Sequence, residues 1–415
     1  MKISLVRVVA NFYPDIGGSI THVLELSKFM HPHLEKQLII APLSKDDNTE
    51  EFDATFPVPI KRVNAAVGST RTRNLPLVSY INLFYYARNI TTEIKALVKS
   101  GYRIDIVQVH YNILGQFLLL CFKVSDISIP IVIMHHGSSI DIGNNTLRAK
   151  IAHKVSLIMY NWLKPDCYFQ LDDGTLNKDF LNELKQRSIR YKVLFHAIDT
   201  QYFLPQKVER SYDEFIVLSN HRLDSFKRVD LAIIAFKTFL ECTGYPTNVK
   251  LRIVGSGPLL NELINLVEIN QLKSYVQFVG RKTVEGAKKE IELADVIIGT
   301  SLISNVNRSI QEAMACEKPV VVFDSISESN LFINMNNAVV VPANDVHAFA
   351  RSIELLYKNP NLRIEIGKNA RETIIKHRNW EQRIFQELSV YDEIRRSSQY
   401  SRNHDAACQV NQSHE

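Results

Sequence analysis

Short apolar runs alternate with amphipathic stretches along most of the chain. In the first half, residues 2–10, 37–41 and 105–110 have the length and composition of buried strands. A second series of such runs starts at Phe215 and continues to residues 338–342. Strands that alternate with helices form parallel sheets covered by helices. The pattern therefore predicts an α/β protein with two doubly wound, Rossmann-like domains.

The domain boundary is predicted from the polar segment that follows Pro205. A chain of 415 residues is too long for one compact core. We expect a first domain over residues 1–205 and a second over residues 206–379. Residues 397–415 are polar and have no apolar period, so we expect this tail to be disordered.

Composition indicates a soluble protein of a reducing compartment. Five cysteines occur without a Cys-x-x-Cys pair, which argues against a zinc site or a disulfide framework. The start of the chain has no secretory signal pattern, and no apolar run approaches the roughly 18 residues of a membrane span. We expect a cytoplasmic protein without a bound metal or cofactor.

Charge is distributed unevenly between the two halves. Residues 1–205 contain 23 basic and 18 acidic residues, whereas residues 206–415 contain 26 of each. The basic excess of the first half suits an acidic acceptor or peripheral contact with the cytoplasmic face of an anionic membrane. A solvated surface without a partner would account for it equally well. Basic and aromatic residues interleave over residues 69–103, as in a helix that lies on lipid or packs its aromatic stripe on the sheet. We expect no nucleic-acid partner.

The polar segment between the apolar runs 295–299 and 319–323 is the main candidate for a ligand site. In α/β sheets, ligands bind beyond the carboxyl ends of strands, where helix N-termini receive anionic or hydroxylated groups. Ser304 and Asn305 lie in the loop, and Glu312 lies early in the following helix. Glu312 could accept hydrogen bonds from a ribose, or could be a surface acid near the helix N-terminus.

Two further groups in the second half lie after predicted strands. Arg222 and Lys227 follow the strand that starts at Phe215, and their charges suit a diphosphate. Gly255 follows the next strand, but Leu260 stands where a dinucleotide-binding fingerprint has its third glycine, which argues against a dehydrogenase.

Two features of the first half also lie after predicted strands. Gly17 and Gly18 lack side chains, so a phosphate or substrate can approach the backbone there; a tight turn is the alternative. His136 ends the apolar run 130–136, at the edge where an α/β ligand crevice forms. No other metal ligands are suitably spaced with it.

Taken together, these segments resemble the retaining GT-B glycosyltransferases, in particular family 4 (group 1). The resemblance runs from about residue 1 to residue 395 and rests on the order and spacing of the motifs that contain Gly17 and Gly18, His136, Arg222 and Lys227, Gly255, and Glu312. It implies that the two domains face each other across a cleft, with the acceptor on the first domain. It also implies that a helix around residues 380–396 crosses back to the first domain.

The resemblance implies a reaction in which a sugar moves, with retention, from a nucleoside-diphosphate sugar to a glycan or lipid-linked acceptor. Glu312 would bind the ribose, and Arg222 and Lys227 would neutralise the departing diphosphate. His136 would line the donor sugar, and the glycine pair would approach the reacting centre. The implied donor nucleotide is of UDP or GDP type.

The chain departs from the family pattern at several positions. Ser304 stands where the family usually has a first glutamate, and Asn305-Val-Asn307 replaces Gly-Phe-Gly. Non-glycine residues occupy positions at which the family often has glycine, namely Ala197, His221, Arg228 and Glu317. Two alternatives therefore stay open: a non-catalytic member that binds a glycan or partner, and a nucleotide-sugar epimerase of the same architecture.

Overall fold

The computed structural model describes residues 2–15, 17–44, 49–65, 76–136, 157–172, 178–206, 214–302, 305–324 and 331–412. The chain forms two compact units. The first contains residues 1–171, 177–194 and 383–415, and the second contains residues 172–176 and 195–382. The division thus falls at residue 195 rather than after residue 205, and residues after 382 group with the first unit.

The strands are β1 (Ser4–Val9), β2 (Lys36–Pro42), β3 (Ile60–Val63), β4 (Ile106–His110), β5 (Ile131–His135), β6 (Cys167–Asp172), β7 (Tyr191–Phe195), β8 (Phe215–Asn220), β9 (Val249–Val254), β10 (Val276–Gly280), β11 (Val296–Gly299), β12 (Val320–Phe323) and β13 (Val339–Val341). The helices are α1 (Gly18–Met30), α2 (Thr49–Thr55), α3 (Pro76–Lys99), α4 (Asn112–Val124), α5 (Lys178–Gln186), α6 (Val229–Thr243), α7 (Leu260–Ile269), α8 (Val284–Leu293), α9 (Arg308–Ala315), α10 (Val346–Lys358), α11 (Pro360–His377) and α12 (Trp380–Gln412). A short 3-10 helix, His31–His33, follows α1.

Each unit is built on one sheet. The first sheet has the order β3-β2-β1-β4-β5-β6-β7, and the second has the order β10-β9-β8-β11-β12-β13. Strands run parallel from β3 to β6 and throughout the second sheet. Every residue of β1, β11 and β12 is buried, because helices cover both faces of a parallel sheet. The predicted pair of doubly wound domains is confirmed.

The strand order reverses at one place in each sheet. In the first, successive strands extend outward from the neighbours β1 and β4; in the second, they extend from β8 and β11. Loops that leave the carboxyl ends of such neighbours diverge and leave a crevice, which is the usual ligand position in this architecture. The fold thus indicates two places to look for a site, one in each unit.

Arg7 lies in the middle of β1 and is completely buried. Its guanidinium donates to the side chain of Gln108 in β4. It also lies 3.9 Å from the carboxylate of Glu387 in α12, which pairs with Arg383 one turn earlier. All three charged side chains are fully buried. This ionic cluster attaches the last helix to the first sheet.

The predicted disorder of residues 397–415 is wrong for residues 397–412, where the backbone continues α12. This segment contains neither glycine nor proline, so no residue in it interrupts helical hydrogen bonding.

The expected aromatic stripe of α3 is only partly buried. Tyr86 is buried and its hydroxyl donates to the carbonyl of Val9 at 3.0 Å. Tyr80, Phe84 and Tyr85 are exposed on the same helix. The helix therefore packs one apolar face on its own unit and presents a second, aromatic face outward.

Candidate active site

The segment after β8 lies tightly against the end of β9. The amide of His221 donates to the carbonyl of Val254 at 3.1 Å, and the amide of Leu223 donates to the carbonyl of Ser256 at the same distance. A Cβ atom on Gly255 would lie 1.9 Å from the carbonyl oxygen of His221, and Gly255 has φ +142°. Only glycine permits this approach. The structure thus gives Gly255 a packing role, and its contact with a donor stays a prediction.

Both predicted cations lie on this segment, at the reversal point of the second sheet. The Arg222 side chain is 68% exposed, and its Nε donates to Asp224 Oδ2 at 3.0 Å. Lys227 is half-buried. The Thr300 hydroxyl donates to the carbonyl of Lys227 at 3.0 Å, and the Ser301 hydroxyl donates to that of Phe226 at 3.1 Å. These bonds attach residues 222–228, here called the cationic loop, to the end of β11.

Helix α9 begins after β11 and carries Glu312. Asn307 caps it, because the Asn307 Oδ1 accepts the amide of Ile310 at 3.3 Å. Glu312 is 8% exposed, and its Oε1 accepts a hydrogen bond from Arg308 Nε at 2.6 Å. Glu312 is therefore part of a nearly buried ion pair rather than a solvated surface acid. The i,i+4 spacing of Arg308 and Glu312 could have indicated this pair from the sequence.

His221 bridges two elements that hold the predicted residues. Its Nε2 lies 3.3 Å from the carbonyl oxygen of Ile298 in β11, and its Nδ1 lies 3.2 Å from the Ser309 Oγ in α9. Burial, followed by the positive charge of Lys227, lowers the pKa of His221 to about 3. The imidazole is therefore neutral at physiological pH. From the sequence, His221 was noted only as a replacement for glycine, and this bridge was not predicted.

The two candidate sugar contacts before α9 are Ser304 and Asn305. Ser304 lies outside the described residues. Asn305 is buried, and its Nδ2 donates to the carbonyl of Phe323 at the end of β12 at 3.1 Å. The side-chain amide thus serves the fold by joining the loop to the sheet. A contact between Asn305 and a donor stays a prediction.

Gly17 and Gly18 lie where the first sheet reverses, at the N-terminus of α1. The carbonyl of Gly17 accepts the amide of Thr21 at 3.0 Å, so the glycine forms the first turn of the helix. A Cβ at either position would meet no atom within 4 Å. Packing inside the unit therefore does not require these two glycines, which leaves the approach of a ligand as their predicted role.

His136 follows β5 and lies in a cluster of histidines. Its Nε2 is 3.0 Å from His110 Nδ1, and the two rings stack with centroids 5.2 Å apart. The ring of His22, on α1, meets His136 edge-on at 5.3 Å. Burial lowers the pKa of His136 to about 3, so this imidazole is also neutral. The structure thus brings α1 and His136 together within the first unit. Both follow strands of the first sheet, so their proximity at one edge of that sheet is expected.

The buried Nδ1 of His136 has no hydrogen-bond partner among the described residues. A buried polar atom of this kind is costly unless a ligand or water completes its bonding. His110 was predicted as the end of a strand but not as a partner of His136. The position of His110 at the end of β4, the strand beside β5, could have indicated that it lies near His136.

The described residues contain neither a metal-binding cluster nor a membrane-spanning helix. No group of three or more His, Cys, Asp or Glu side chains there could hold a metal ion. None of the helices in the described ranges is both long enough and apolar enough to cross a bilayer.

In the second unit, four predicted residues lie at one edge of the sheet: Arg222, Lys227, Gly255 and Glu312. Their segments are joined by the contacts of His221 with Gly255 and with Ser309 in α9, and by the hydrogen bond from Thr300 to the carbonyl of Lys227. This edge of the sheet carries the cations Arg222 and Lys227, and the carboxylate of Glu312, which is paired with Arg308 in α9. Such a site suits a ligand with an anionic part and a hydroxylated part.

The chain is similar to known proteins in sequence and in fold. Residues 201–373 match the family described as glycosyl transferases group 1. The chain is 23% identical over 396 residues to MJ1178, an uncharacterized glycosyltransferase of Methanocaldococcus jannaschii, covering 95% of this chain and 99% of the relative. It is 28% identical over 180 residues to a poly(ribitol-phosphate) alpha-N-acetylglucosaminyltransferase of Staphylococcus aureus, covering 43% of this chain and 36% of that protein.

Among solved structures, the fold is similar to that of Alr3699/HepE of Anabaena, crystallised in complex with UDP. The TM-score is 0.68 at 15% identity, covering 94% of this chain and 100% of that one. At this identity the likeness supports the fold alone. Residues 201–373 are thus similar to the glycosyl transferases group 1 family, and the chain has the GT-B fold.

Proposed function

We propose that the chain transfers one sugar, with retention of anomeric configuration, from a nucleoside-diphosphate sugar to a glycan or lipid-linked acceptor. The observation that supports this proposal is that the segments carrying Arg222, Lys227 and Glu312 are joined by hydrogen bonds and contacts at the reversal point of the second sheet. The three groups match the diphosphate and the ribose of one donor molecule.

Donor binding follows from the chemistry of these groups. The carboxylate of Glu312 accepts hydrogen bonds from ribose hydroxyls, and the guanidinium of Arg222 offers a planar set of donors to phosphate oxygens. Similarity to HepE, which was crystallised with UDP and with UDP-glucose, supports a nucleotide of this kind. UDP is therefore the first nucleotide to test, with GDP as the second.

Charge development explains how the same groups accelerate transfer. When the bond between the sugar and the diphosphate breaks, negative charge grows on the diphosphate and positive charge grows on the sugar. Fixed cations at Arg222 and Lys227 stabilise the growing negative charge more in the transition state than in the ground state. In this proposal, these side chains act without a bound metal.

The first unit would contribute the groups near the sugar. Gly17 and Gly18 leave space for close approach at the N-terminus of α1. The neutral ring of His136, whose Nδ1 is buried without a partner among the described residues, would bond a sugar hydroxyl. A hydrogen bond to this atom would remove the cost of leaving it unsatisfied.

An acidic or lipid-linked acceptor is supported by charge and by exposed aromatic residues. The basic excess lies within residues 1–205, and α3 exposes Tyr80, Phe84 and Tyr85. The S. aureus relative is named for a poly(ribitol-phosphate) acceptor, which is polyanionic. We include peripheral contact between this surface and an anionic membrane in the proposal.

One observation favours the alternative of a binding protein without catalysis: Arg222 pairs with Asp224, and Glu312 pairs with Arg308. A panel of UDP- and GDP-sugars, incubated with extracted glycan and lipid acceptors, distinguishes the possibilities. Transfer predicts nucleotide release that depends on acceptor, with a product whose anomeric configuration, read by NMR, equals that of the donor. Binding without release supports the alternative. An isomerised donor indicates an epimerase, and an inverted product contradicts retention.

A further inference from the structure

We propose that His221 is a positioning residue that sets the cationic loop at a fixed distance from helix α9, so that the diphosphate and the nucleoside of one donor are bound together. This inference rests on the proposed function and concerns the same site. It assigns to His221 a role through Arg222, Lys227 and Glu312 rather than a contact with the reacting atoms.

The side chain of His221 is suited to this role because both ring nitrogens face fixed groups. Nε2 lies 3.3 Å from the carbonyl oxygen of Ile298 in β11, and Nδ1 lies 3.2 Å from Ser309 Oγ in the first turn of α9. The ring is 6% exposed. A buried side chain held at both ends transmits a displacement of one element to the other.

The backbone of His221 is fixed as firmly as its ring. Its amide donates to Val254 at the end of β9, and its carbonyl lies against the Cα of Gly255. The next residue along the chain is Arg222. The position of the cationic loop is therefore tied to the position of the His221 ring.

Ser309 is similarly tied to the nucleoside end of the site. Its Oγ lies 2.7 Å from Oδ1 of Asn307, the residue that caps α9, and its one proton can go either to this oxygen or to Nδ1 of the neutral His221 ring. Glu312 follows one turn later in the helix. The contact between His221 and Ser309 therefore connects the diphosphate-binding loop with the predicted ribose-binding acid through one pair of side chains.

Uridine and UDP should respond differently if this contact is removed. Uridine lacks the diphosphate, so its binding depends on α9 and not on the distance between α9 and the cationic loop. UDP spans both elements and gains affinity from their fixed geometry, because less ordering is needed on binding. A change that loosens the contact between His221 and Ser309 should weaken the binding of UDP and leave the binding of uridine unaffected.

The test uses the full chain and the variants His221→Ala, Ser309→Ala and the double variant. The affinity for UDP is measured by calorimetry, and the affinity for uridine is measured by competition with UDP. Each single variant is expected to bind UDP about 3- to 10-fold more weakly than the wild-type chain, the range for one lost hydrogen bond. Uridine affinity is expected to stay within about twofold, and the affinity of the double variant for UDP should match that of His221→Ala, because either single change already removes the contact between the two side chains. Ser352→Ala, which removes a hydroxyl that bonds within α10, is the control. GDP and guanosine replace this pair if the wild-type chain prefers GDP.

Three results would overturn the inference. Equal weakening of UDP and uridine would mean that the variants distort α9 itself. Unchanged UDP affinity in Ser309→Ala, which retains the imidazole, would mean that the contact does not position the loop. A wild-type chain that binds neither UDP nor GDP would reject the proposed function and this inference with it, whereas the first two results leave nucleotide binding intact.

Discussion

The hydroxyl of Thr300 donates to the carbonyl of Lys227 at 3.0 Å, across a separation of 73 residues in the chain. The two residues follow β11 and β8, which are neighbours at the point where the second sheet reverses. The bond fixes the cationic loop against the strand that leads to Glu312. The backbone of the cationic loop is thereby held in place before a donor arrives.

Replacement of Glu312 by alanine is expected to weaken UDP binding by about 1–3 kcal/mol, the effect of losing a charge-assisted hydrogen bond. Calorimetric titration measures the change. Glu262→Ala, an exposed acid in the first turn of α7, is the matched control. Unaltered affinity for UDP and for GDP would reject the ribose role of Glu312.

Replacement of Lys227 by alanine is expected to lower kcat and to change the KM for the donor much less. The reason is that the negative charge facing Lys227 grows as the reaction proceeds, so its loss is felt mainly in the transition state. Steady-state kinetics with the active donor measures both constants, and exposed Lys273→Ala serves as the control. A rise in donor KM with unchanged kcat would count against this account.

The buried cluster of Arg7, Arg383 and Glu387 should dominate the attachment of α12 to the first unit. Glu387→Ala is expected to reduce the free energy of unfolding of this unit by about 3–5 kcal/mol, because two buried guanidinium groups lose their anionic partner. Hydrogen exchange of the amides in β1 at increasing urea concentrations reports this value. Glu393→Ala removes an exposed acid from the same helix and should cost under about 1 kcal/mol. Equal effects of the two changes would contradict the assigned importance of the cluster.

Acid should destabilise the first unit through His135. Burial lowers the pKa of His135 to about 4, so the unfolded chain binds more protons than the folded chain between about pH 4 and pH 6.5. Stability contributed by the neutral ring is present above this window and is lost as the pH falls through it. Lowering the pH from 7.5 to 5 should remove about 2 kcal/mol per such histidine.

The variant His135→Gln should reduce this pH dependence of the unfolding free energy by the same amount. His347→Gln, on the exposed surface of α10, is the control for the substitution. Denaturant unfolding at the two pH values measures the difference. A wild-type stability that is constant between pH 7.5 and 5 would contradict the buried, neutral state of His135.

Much of the fold could be predicted because each strand is a short apolar run that ends in polar residues. Arg222, Lys227 and Glu312 were predicted on this basis, and the strand order then brings them to one edge. Contacts between distant side chains could not be predicted in this way. The pairing of His221 with Ser309 spans 88 residues and depends on how β8, β11 and α9 pack.

Backbone conformation was also hard to predict where the chain departs from the family it resembles. Arg228 and Glu317 replace glycine, yet both have positive φ, at 48° and 58°. The surrounding fold imposes this left-handed conformation even though a side chain disfavours it by about 1–2 kcal/mol. Propensity alone would have assigned these residues an ordinary conformation. Similarly, burial of Arg7 in β1 follows from its partners in α12 and not from its own polarity.

The most direct measurement of the central claim is a calorimetric titration of the full chain with UDP and with GDP, repeated for the double variant Arg222→Ala and Lys227→Ala. The account predicts that the wild-type chain binds at least one of the two nucleotides. It also predicts that removal of both cations weakens that binding at least tenfold, since the released nucleotide carries the full negative charge that Lys227 meets in the transition state, and a charge-assisted bond contributes about 1.5–3 kcal/mol. Wild-type binding that survives the double change undiminished, or no binding of either nucleotide, would contradict the account.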